Sequence, residues 1–164
     1  MLEAYLDIET TGLSPAYDNI TVIGIYLTDG NYQRFVQLVG EEVTRTNLLE
    51  VLQGVKVIYT YNGSGFDLPF VNALLGVDLT KSFIHHDLML DCWKNNLYGG
   101  FKAVEVQLGI DRQLKGIDGA EAVRLWWEYQ DDQDQDALNT LLYYNEEDVL
   151  NLKTLKEILA IDYD

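Results

Sequence analysis

The chain has 164 residues, 48% of them hydrophobic and 12% aromatic, which is typical of a globular protein and predicts a single domain spanning 1–164. The net charge of −16, from 27 acidic and 11 basic residues, excludes a broadly basic surface that would bind long nucleic acids unaided. A single cysteine excludes an internal disulfide, and no apolar run reaches the roughly 20 residues that cross a bilayer, so we expect a cytoplasmic protein that does not enter membranes.

Two carboxylates near the start of the chain form the first candidate site. The apolar run that begins at Ala4 predicts a β-strand, on which Asp7 and Glu9 share one face because they are two residues apart. Like charges held this close repel unless a cation lies between them, and carboxylate oxygens suit Mg²⁺ or Mn²⁺. The pair indicates either a metal site or two solvated acids at an ordinary strand end.

The next elements predicted are two further strands, a helix and a fourth strand. The β-branched run 21–27 and the alternating run 32–38 predict an antiparallel meander with the first strand. Apolar residues at helical spacing predict a helix over 46–53 with Thr46 as its N-cap, followed by a strand over 55–59. This order of elements favours a mixed sheet with helices packed on it.

A second candidate acid follows the fourth strand. In the segment Asn62-Gly63-Ser64-Gly65-Phe66-Asp67, the two glycines allow a tight turn from strand to helix. Pro69 suits the first turn of that helix, which places Asp67 at a helix N-terminus beside the carboxyl end of a strand, where α/β folds usually have their sites. Asp67 is therefore either a functional acid or a helix cap.

The segment 83–89 predicts a short fifth strand that enters a helix. Adjacent side chains on a strand point to opposite faces, so His85 and His86 cannot readily share one zinc ion, and we interpret both as structural. Asp87 would cap the helix or support a metal ligand.

Three more helices are predicted in the second half of the chain. A short amphipathic helix follows Gly100 and ends at Gly109, and the apolar spacing over 120–129 predicts a second helix that contributes to the core. We interpret the acidic run 131–136 as a solvated linker that caps the last helix, which is predicted over 137–159.

The last helix carries the third candidate site. Tyr144 and Asp148 are four residues apart and therefore lie on one helix face, one turn from each other. The pair is either part of a site or an ordinary surface tyrosine beside a surface acid.

The order and spacing of these acids resemble the DEDD superfamily, the DnaQ-like 3′-to-5′ exonucleases with an RNase H-like fold. The spacing of Tyr144 and Asp148 resembles the DEDDy branch. Three segments are similar to the YprB-like subgroup: Gly99–Ile110, Leu125–Tyr129 and Tyr144–Leu152. The resemblance covers nearly the whole chain, and three acidic motifs in this order are a far more specific signal than any one of them.

The resemblance implies an α/β, RNase H-like fold with a central five-stranded mixed sheet, three antiparallel strands plus two parallel ones, flanked by helices. It implies that four acids bind two divalent metal ions, Mg²⁺ or Mn²⁺, and that Tyr144 orients the attacking water. The implied metal ligands are Asp7, Glu9, Asp67 and Asp148. The residues implied to contact the terminal nucleotide of a single-stranded DNA or RNA end are Thr10, Thr11, Gly12, Leu13, Asn62 and Phe66.

The chemistry of the residues agrees with this implication. Hydrolysis of a phosphodiester develops negative charge that two divalent ions stabilise, and four carboxylates can hold two such ions. A phenol with an ordinary pKa of about 10 is a poor general base at neutral pH, so we expect Tyr144 to position water by hydrogen bonding. Phe66 either stacks on an end base or belongs to the core.

The acidic composition departs from what tight binding to a long polymer requires. We therefore expect a short substrate, or a protein partner that supplies the grip on nucleic acid. The alternative function is a catalytically weak RNase H-like module that serves as an interaction subunit of a DNA-repair or RNA-processing complex. The motifs leave open whether the polymer is DNA or RNA.

Overall fold

A mixed five-stranded sheet forms the centre of the protein, which a computed structural model describes for residues 1–161. The strands are β1 (Glu3–Thr10), β2 (Ile20–Thr28), β3 (Gln33–Val39), β4 (Val57–Thr60) and β5 (Ile84–Asp87). The α-helices are α1 (Arg45–Val51), α2 (Asp67–Leu75), α3 (Leu88–Lys94), α4 (Phe101–Leu108), α5 (Gly119–Asp132) and α6 (Gln135–Ile158). No helix within residues 1–161 is long and apolar enough to cross a membrane.

The strand order is β3-β2-β1-β4-β5. β1, β2 and β3 pair antiparallel, as the alternating patterns predicted, whereas β4 pairs parallel to β1 and β5 parallel to β4. The fold class is therefore confirmed: a mixed sheet of three antiparallel strands and two parallel additions, flanked by helices. β1 lies at its centre, so the first predicted carboxylates stand on the middle strand.

The two faces of β1 have different partners. Leu6 and Ile8 pack in the core that includes residues of α1 and α2, whereas Tyr5 packs on the opposite face in a core that includes residues of α3, α4 and α6. Asp7 and Glu9 follow the parity of Tyr5 and so face α6. The apolar residues of the strand thus fix which way the two acids point.

Gly24 allows α6 to approach the sheet closely. It pairs with Asp7 across the β1–β2 ladder, and a Cβ atom built on it would lie only 2.1 Å from Oδ1 of Asn145 on α6. Asn145 is fully buried, and its side-chain amide donates to the backbone oxygen of Asp7 at 3.2 Å. This close approach brings the middle of α6, with its candidate residues, over the acidic end of β1.

Two local predictions are wrong. The N-cap of α1 is Thr44, not Thr46, because the Thr44 hydroxyl accepts a hydrogen bond from the backbone N–H of Asn47 at 3.1 Å. The run 131–136 is not only a linker: its first two residues are the last two of α5, and Gln133 caps the C-terminus of that helix with a left-handed φ of 54°. Only Asp134 caps α6, accepting from the backbone of the next turn.

Candidate active site

Three carboxylates from the two ends of the chain meet at the centre of the sheet. One oxygen each of Asp7, Glu9 and Asp148 lies within 4.8 Å of the others. β1 supplies the first two acids and α6 supplies the third. Glu9 and Asp148 are only 8% and 7% exposed, and Asp7 is partly exposed, so the group forms a recessed acidic patch rather than a solvated surface. We call these three residues the acid cluster.

Asp67 lies beside the acid cluster and binds β1 directly. Its Oδ2 atom accepts a hydrogen bond from the backbone N–H of Ile8 at 3.0 Å, and the residue is 3% exposed. Phe66 occupies the N-cap position of α2, so Asp67 is not the cap residue of that helix. Burial raises the pKa of Asp67 to about 7. This carboxylate attaches the start of α2 to the strand between the two acids of β1.

The acid cluster is electrostatically unfavourable as a group of bare charges. Burial, followed by the neighbouring carboxylate of Asp148, holds the pKa of Asp7 well above its usual range. The same two causes raise the pKa of Glu9. Lys102 of α4 places its Nζ atom 3.7 Å from Oδ1 of Asp148, and Arg112 forms an ion pair with the same oxygen. These two cations offset only part of the negative charge.

The donor set of the acid cluster fits a divalent cation. Oε1 of Glu9 is buried and has no hydrogen-bond partner within residues 1–161, which leaves a carboxylate oxygen available as a ligand. All the donors are carboxylate oxygens, the type that Mg²⁺ and Mn²⁺ prefer over softer metals. The side chains that would hold such an ion are Asp7, Glu9 and Asp148.

Tyr144 is buried, so the interpretation as an ordinary surface tyrosine is wrong. It is 4% exposed, and its hydroxyl oxygen accepts a hydrogen bond from Nζ of Lys102 at 2.6 Å. Burial, followed by the negative charge of Asp148, raises the pKa of Tyr144 above its ordinary value. The phenol therefore stays neutral at physiological pH and keeps its own proton as a hydrogen-bond donor.

Four of the six residues predicted to contact the terminal nucleotide line one cavity of about 330 Å³ next to Glu9. These are Thr10, Gly12, Leu13 and Phe66, and the N-terminal end of α5 closes the opposite wall. Leu13 is 86% exposed, which is unusual for a leucine and places an apolar side chain at the rim. Phe66 is half-buried and packs against the core while lining this cavity, so both of its predicted roles are compatible.

The other two predicted nucleotide contacts lie outside this cavity. The hydroxyl of Thr11 accepts from the backbone N–H of Asn19 at 2.9 Å, within the loop that follows β1. Asn62 is exposed with a left-handed φ of 57°, and its backbone N–H donates to Oδ1 of Asp87 at 2.8 Å. Asp87 also caps α3 by accepting from the backbone N–H of Met89 at 3.1 Å, as predicted. Asp87 thus fixes the loop that leads to Asp67.

His85 and His86 have separate neighbours. Nε2 of His85 is 2.8 Å from the hydroxyl of Thr60, and burial lowers the pKa of this imidazole. Nε2 of His86 instead contacts Asp91 of α3. The two rings are thus engaged with different elements.

Glu105 and Arg112, which lie around Asp148, have contacts that residue spacing did not predict. Arg112 donates through Nε to both carboxylate oxygens of Glu105, at 3.0 and 2.9 Å, and also pairs with Asp148. Glu105 is only 2% exposed although it is an acid. It lies next to Val104 on the apolar face of α4, and a charged residue at such a position indicates a buried partner. Asn145 interrupts the apolar face of α6 in the same way, and a polar residue at this position also indicates a buried hydrogen-bond partner.

Comparison with known proteins identifies the class. The profile of the RNase_H superfamily matches residues 4–160, nearly the entire chain. The chain therefore belongs to the RNase H superfamily. A search of curated protein sequences found no significant match.

Solved structures share the fold. The family B DNA polymerase of the hyperthermophilic archaeon Pyrobaculum calidifontis superposes with a TM-score of 0.75 at 17% identity, over 98% of this chain but only 24% of the polymerase. Brucella melitensis NrnC with bound Mg²⁺ superposes with a TM-score of 0.63 at 22% identity, over 96% of this chain and 71% of NrnC. NrnC bound to pGG superposes with a TM-score of 0.60 at 21% identity.

Proposed function

We propose that the protein is a metal-dependent 3′-to-5′ exonuclease of the DEDDy type, closest to the YprB-like subgroup, that hydrolyses phosphodiester bonds at single-stranded ends of DNA or RNA with two divalent ions, Mg²⁺ or Mn²⁺. The observation that carries the proposal is the acid cluster, whose oxygens lie within 4.8 Å of one another and include an unpaired buried oxygen of Glu9. Membership of the RNase H superfamily supports it. The structures of NrnC with Mg²⁺ and with pGG support a metal and a nucleic-acid ligand.

The four acids would contribute to metal binding in different ways. Asp7, Glu9 and Asp148 would bind directly, and Asp67, fixed to β1, would complete the set. Divalent ions bound there would neutralise charge on the phosphate and activate the attacking water. Asn145 would keep Asp7 oriented, because its amide lies 3.4 Å from Oδ2 of Asp7 as well as bonding the backbone.

Tyr144 would position the attacking water rather than remove its proton. Lys102 donates to the phenol oxygen at 2.6 Å, so the phenol's own hydrogen is free to point at a water molecule near Asp148. A raised pKa makes deprotonation of this phenol unfavourable at neutral pH. Holding the water in line with the scissile bond lowers the entropic part of the barrier.

The cavity of about 330 Å³ beside Glu9 would take the terminal nucleotide. Its apolar walls suit a base, and the exposed side chain of Leu13 together with Phe66 offers two surfaces on which the base can stack. The net charge of −16 repels long polyanions. The substrate would therefore be a short oligonucleotide, or the end of a longer strand that a protein partner presents.

Hydrolysis of end-labelled single strands tests the proposal. Wild-type protein should shorten DNA or RNA from the 3′ end in Mg²⁺ or Mn²⁺, and a chelator should stop the reaction. Asp7→Ala and Asp148→Ala should each lower the rate of hydrolysis by at least about 100-fold, because removing one group that stabilises the charge of a transition state typically has an effect of this size. Activity that survives either substitution, or release of label from the 5′ end, would contradict the proposal.

A thermal scan tests, without any assay of activity, whether the acids share one metal site. Because the acids repel one another in the absence of metal, Asp7→Asn should raise the melting temperature of the metal-free protein by a few degrees, roughly the effect of 1 kcal/mol in a chain of this size. Mn²⁺ should raise the melting temperature of the wild type but much less that of Asp7→Asn. Glu50→Gln, which removes one exposed charge on α1, is the control and should change neither value by more than about 1 °C.

One observation favours the alternative function. Arg112 already pairs with Asp148, so the acids could serve as structural partners of a basic residue in a catalytically weak interaction module. The two functions differ in their response to Mn²⁺. A module of this kind would show neither metal-dependent hydrolysis nor metal-dependent stabilisation.

A further inference from the structure

A second cavity, of about 940 Å³, lies between the end of the sheet and helices α5 and α6. None of the three residues of the acid cluster lines it. Three aromatic side chains of α5 form one wall: Trp126, Trp127 and Tyr129. Leu138 and Leu142 of α6 extend this wall. We call it the aromatic cavity.

Packing holds the wall of the aromatic cavity in place. Trp126 is only 8% exposed, and its ring contacts that of Tyr129 with a centroid separation of 5.6 Å. The turn after β3 packs on the same indole, since a Cβ atom built on Gly40 would lie 3.4 Å from Cη2 of Trp126. Trp127, the next residue of α5, is 45% exposed although it is large and apolar. The cavity thus combines a fixed aromatic wall with an indole ring that solvent can reach.

One buried hydroxyl in the lining of the aromatic cavity has no partner. Thr21 is the extra residue of a β-bulge, because pairing with β1 passes directly from Val22 to Ile20. Thr21 is 2% exposed and lines the cavity, and its Oγ1 atom is buried without a hydrogen bond within residues 1–161. Buried polar groups of native proteins are usually hydrogen-bonded. The unpaired hydroxyl therefore favours a ligand that enters the cavity and supplies the missing partner.

The aromatic cavity carries negative charge that no cation of its lining offsets. Glu41 and Glu42 line it and are exposed, and none of the described residues that line it is a lysine, arginine or histidine. Gln130 also lines it, and the run 131–136 that follows adds four aspartates, which form no ion pair in the described part of the chain. The C-terminal end of α5, whose helix dipole also favours a cation, lies in this region. The surface therefore attracts cations and repels phosphate.

Arginine is the cation that suits this combination of groups. Its guanidinium is planar and stacks on an indole face, while its N–H donors point outward in the plane and bind carboxylates or hydroxyls around the ring. The ammonium of lysine is a strongly hydrated point charge, which gains less from an aromatic wall. A nucleic acid would be repelled by Glu41 and Glu42. A second copy of the chain carries the same net charge of −16, so repulsion opposes its docking here.

We propose that the aromatic cavity binds an arginine-containing basic segment of a protein partner. One guanidinium stacks on the exposed indole of Trp127 and donates to the carboxylate of Glu41. A second donor of the segment supplies the partner that the hydroxyl of Thr21 lacks. The other basic side chains of the segment face the acidic run 131–136.

The aromatic cavity lies next to the cavity proposed for the terminal nucleotide. The loop after β1 contributes Thr11 to the first and Gly12 to the second. If the protein is an exonuclease as proposed, the basic partner is therefore held beside the end of the strand, where it supplies positive charge that this chain lacks. Binding of the segment itself requires neither metal nor hydrolysis.

Fluorescence anisotropy tests the site with a short labelled peptide of alternating glycine and arginine, added to the full chain in the presence of a chelator. The peptide should bind at least about three times more tightly than its glycine–lysine counterpart of equal charge. Trp127→Ala should weaken binding of the arginine peptide about tenfold, the scale of one cation–π contact. Trp93→Ala removes an indole of nearly equal exposure, 46%, from α3 at unchanged charge and should alter binding less than about twofold. The melting temperature of both variants checks that they fold.

Thr21→Val tests the hydroxyl apart from the aromatic wall. It should weaken binding of the arginine peptide about threefold or more but should not lower the melting temperature of the free protein, because the hydroxyl has no partner there to lose. Unchanged binding in this variant would contradict the proposal. Equal effects of Trp127→Ala and Trp93→Ala, or equal binding of the arginine and lysine peptides, would overturn it. A dimer that Trp127→Ala dissociates in sedimentation would also overturn it, since a second copy would then cover the cavity.

The two proposals fail in different ways. If the arginine peptide binds in a Trp127-dependent manner but no substrate is hydrolysed with Mg²⁺ or Mn²⁺, the aromatic cavity stands as a docking site and the exonuclease function is wrong. If hydrolysis occurs and Trp127→Ala behaves like Trp93→Ala, the exonuclease function stands and the assignment of the aromatic cavity is wrong.

Discussion

At the scale of single residues, Tyr143 and Tyr144 offer a matched pair of phenols on one helix. Tyr143 is 40% exposed, whereas Tyr144 is 4% exposed and bonds to Lys102. If Tyr144 positions the attacking water, Tyr144→Phe should lower kcat by about 10- to 100-fold, because the hydrogen bond to the water is lost while the ring remains. Tyr143→Phe should leave kcat within about twofold. Steady-state kinetics of both variants on one oligonucleotide makes the comparison.

The pH dependence of the same variants distinguishes positioning from proton abstraction. Since burial raises the pKa of Tyr144, its ionisation should not appear in the rate profile near neutral pH. Tyr144→Phe should therefore lower the whole profile without removing a limb. Loss of a limb between pH 6 and about 9 in this variant would show that the phenol acts as a base, contrary to the proposal.

Residue spacing predicted part of the site and could not predict the rest. The two-residue spacing of Asp7 and Glu9 and the four-residue spacing of Tyr144 and Asp148 follow from strand and helix periods, so local geometry placed each pair on one face. The ion pair between Arg112 and Asp148 depends on how a loop packs on a helix 36 residues later. Periodicity contains no information about such a contact.

At the scale of elements, the approach of α6 to the sheet depends on the absence of a side chain at Gly24. In Gly24→Ala, the new methyl group would lie 2.1 Å from Oδ1 of Asn145 and 2.8 Å from Cγ2 of Val149. We expect a loss of about 1–3 kcal/mol in the free energy of unfolding, typical of an overpacked core, measured by chemical denaturation. Activity should fall further than stability explains, since Asp148 moves with the helix.

Gly100→Ala is the matched control for this substitution. Its methyl group would meet open space, and the residue lies outside the left-handed region, so the only expected cost is a weaker N-cap of about 1 kcal/mol or less. If Gly24→Ala were as stable and active as this control, the close approach would not be what holds α6 in place.

Element types were predictable, but some boundaries were not. The antiparallel meander and the mixed sheet follow from the order of the strand and helix patterns, whereas the two parallel strands were implied only by the family resemblance. Each of the six helices carries an apolar face. Thr44 and Thr46 are both chemically suitable caps, and only the position of the backbone N–H of Asn47 decides between them. Asp131 and Asp132 complete α5 although Asp has a low helix propensity and acids interact unfavourably with a helix C-terminus, so local preferences predicted a linker where the helix continues.

At the scale of the whole molecule, the buried acids make the stability of the metal-free protein depend on pH. In the folded state the pKa values of Asp7 and Glu9 are well above their usual range and that of Asp67 is about 7, against about 4 in the unfolded chain. The folded protein therefore holds protons that the unfolded chain has lost. The contribution of these groups to the free energy of unfolding should therefore be complete below a pH of about 4. It should decrease as the pH rises from about 4 through 7, by up to about 1.4 kcal/mol per pH unit for each group.

Denaturant unfolding between pH 5 and about 8 in the presence of a chelator measures this slope. Asp67→Asn should flatten it, because the amide keeps an acceptor for the N–H of Ile8 but does not titrate. Saturating Mn²⁺ should also flatten it, since the bound form requires deprotonated acids. A slope that neither change affects would place its origin outside the acid cluster.

The distance along the chain between the two halves of the acid cluster has a consequence for how the protein folds. Asn145 bonds to Asp7 across 138 residues, so the first strand acquires its acidic partner only when the last helix docks. We expect a contact of this sequence separation to close after local hairpins and helices have formed, because closing a long loop costs more conformational entropy. Partly folded chains, including those still emerging from a ribosome, therefore hold at most two of the three clustered carboxylates. If the acid cluster binds a divalent ion as proposed, that capacity, and with it the proposed hydrolytic activity, appears only in the step in which α6 docks on the sheet.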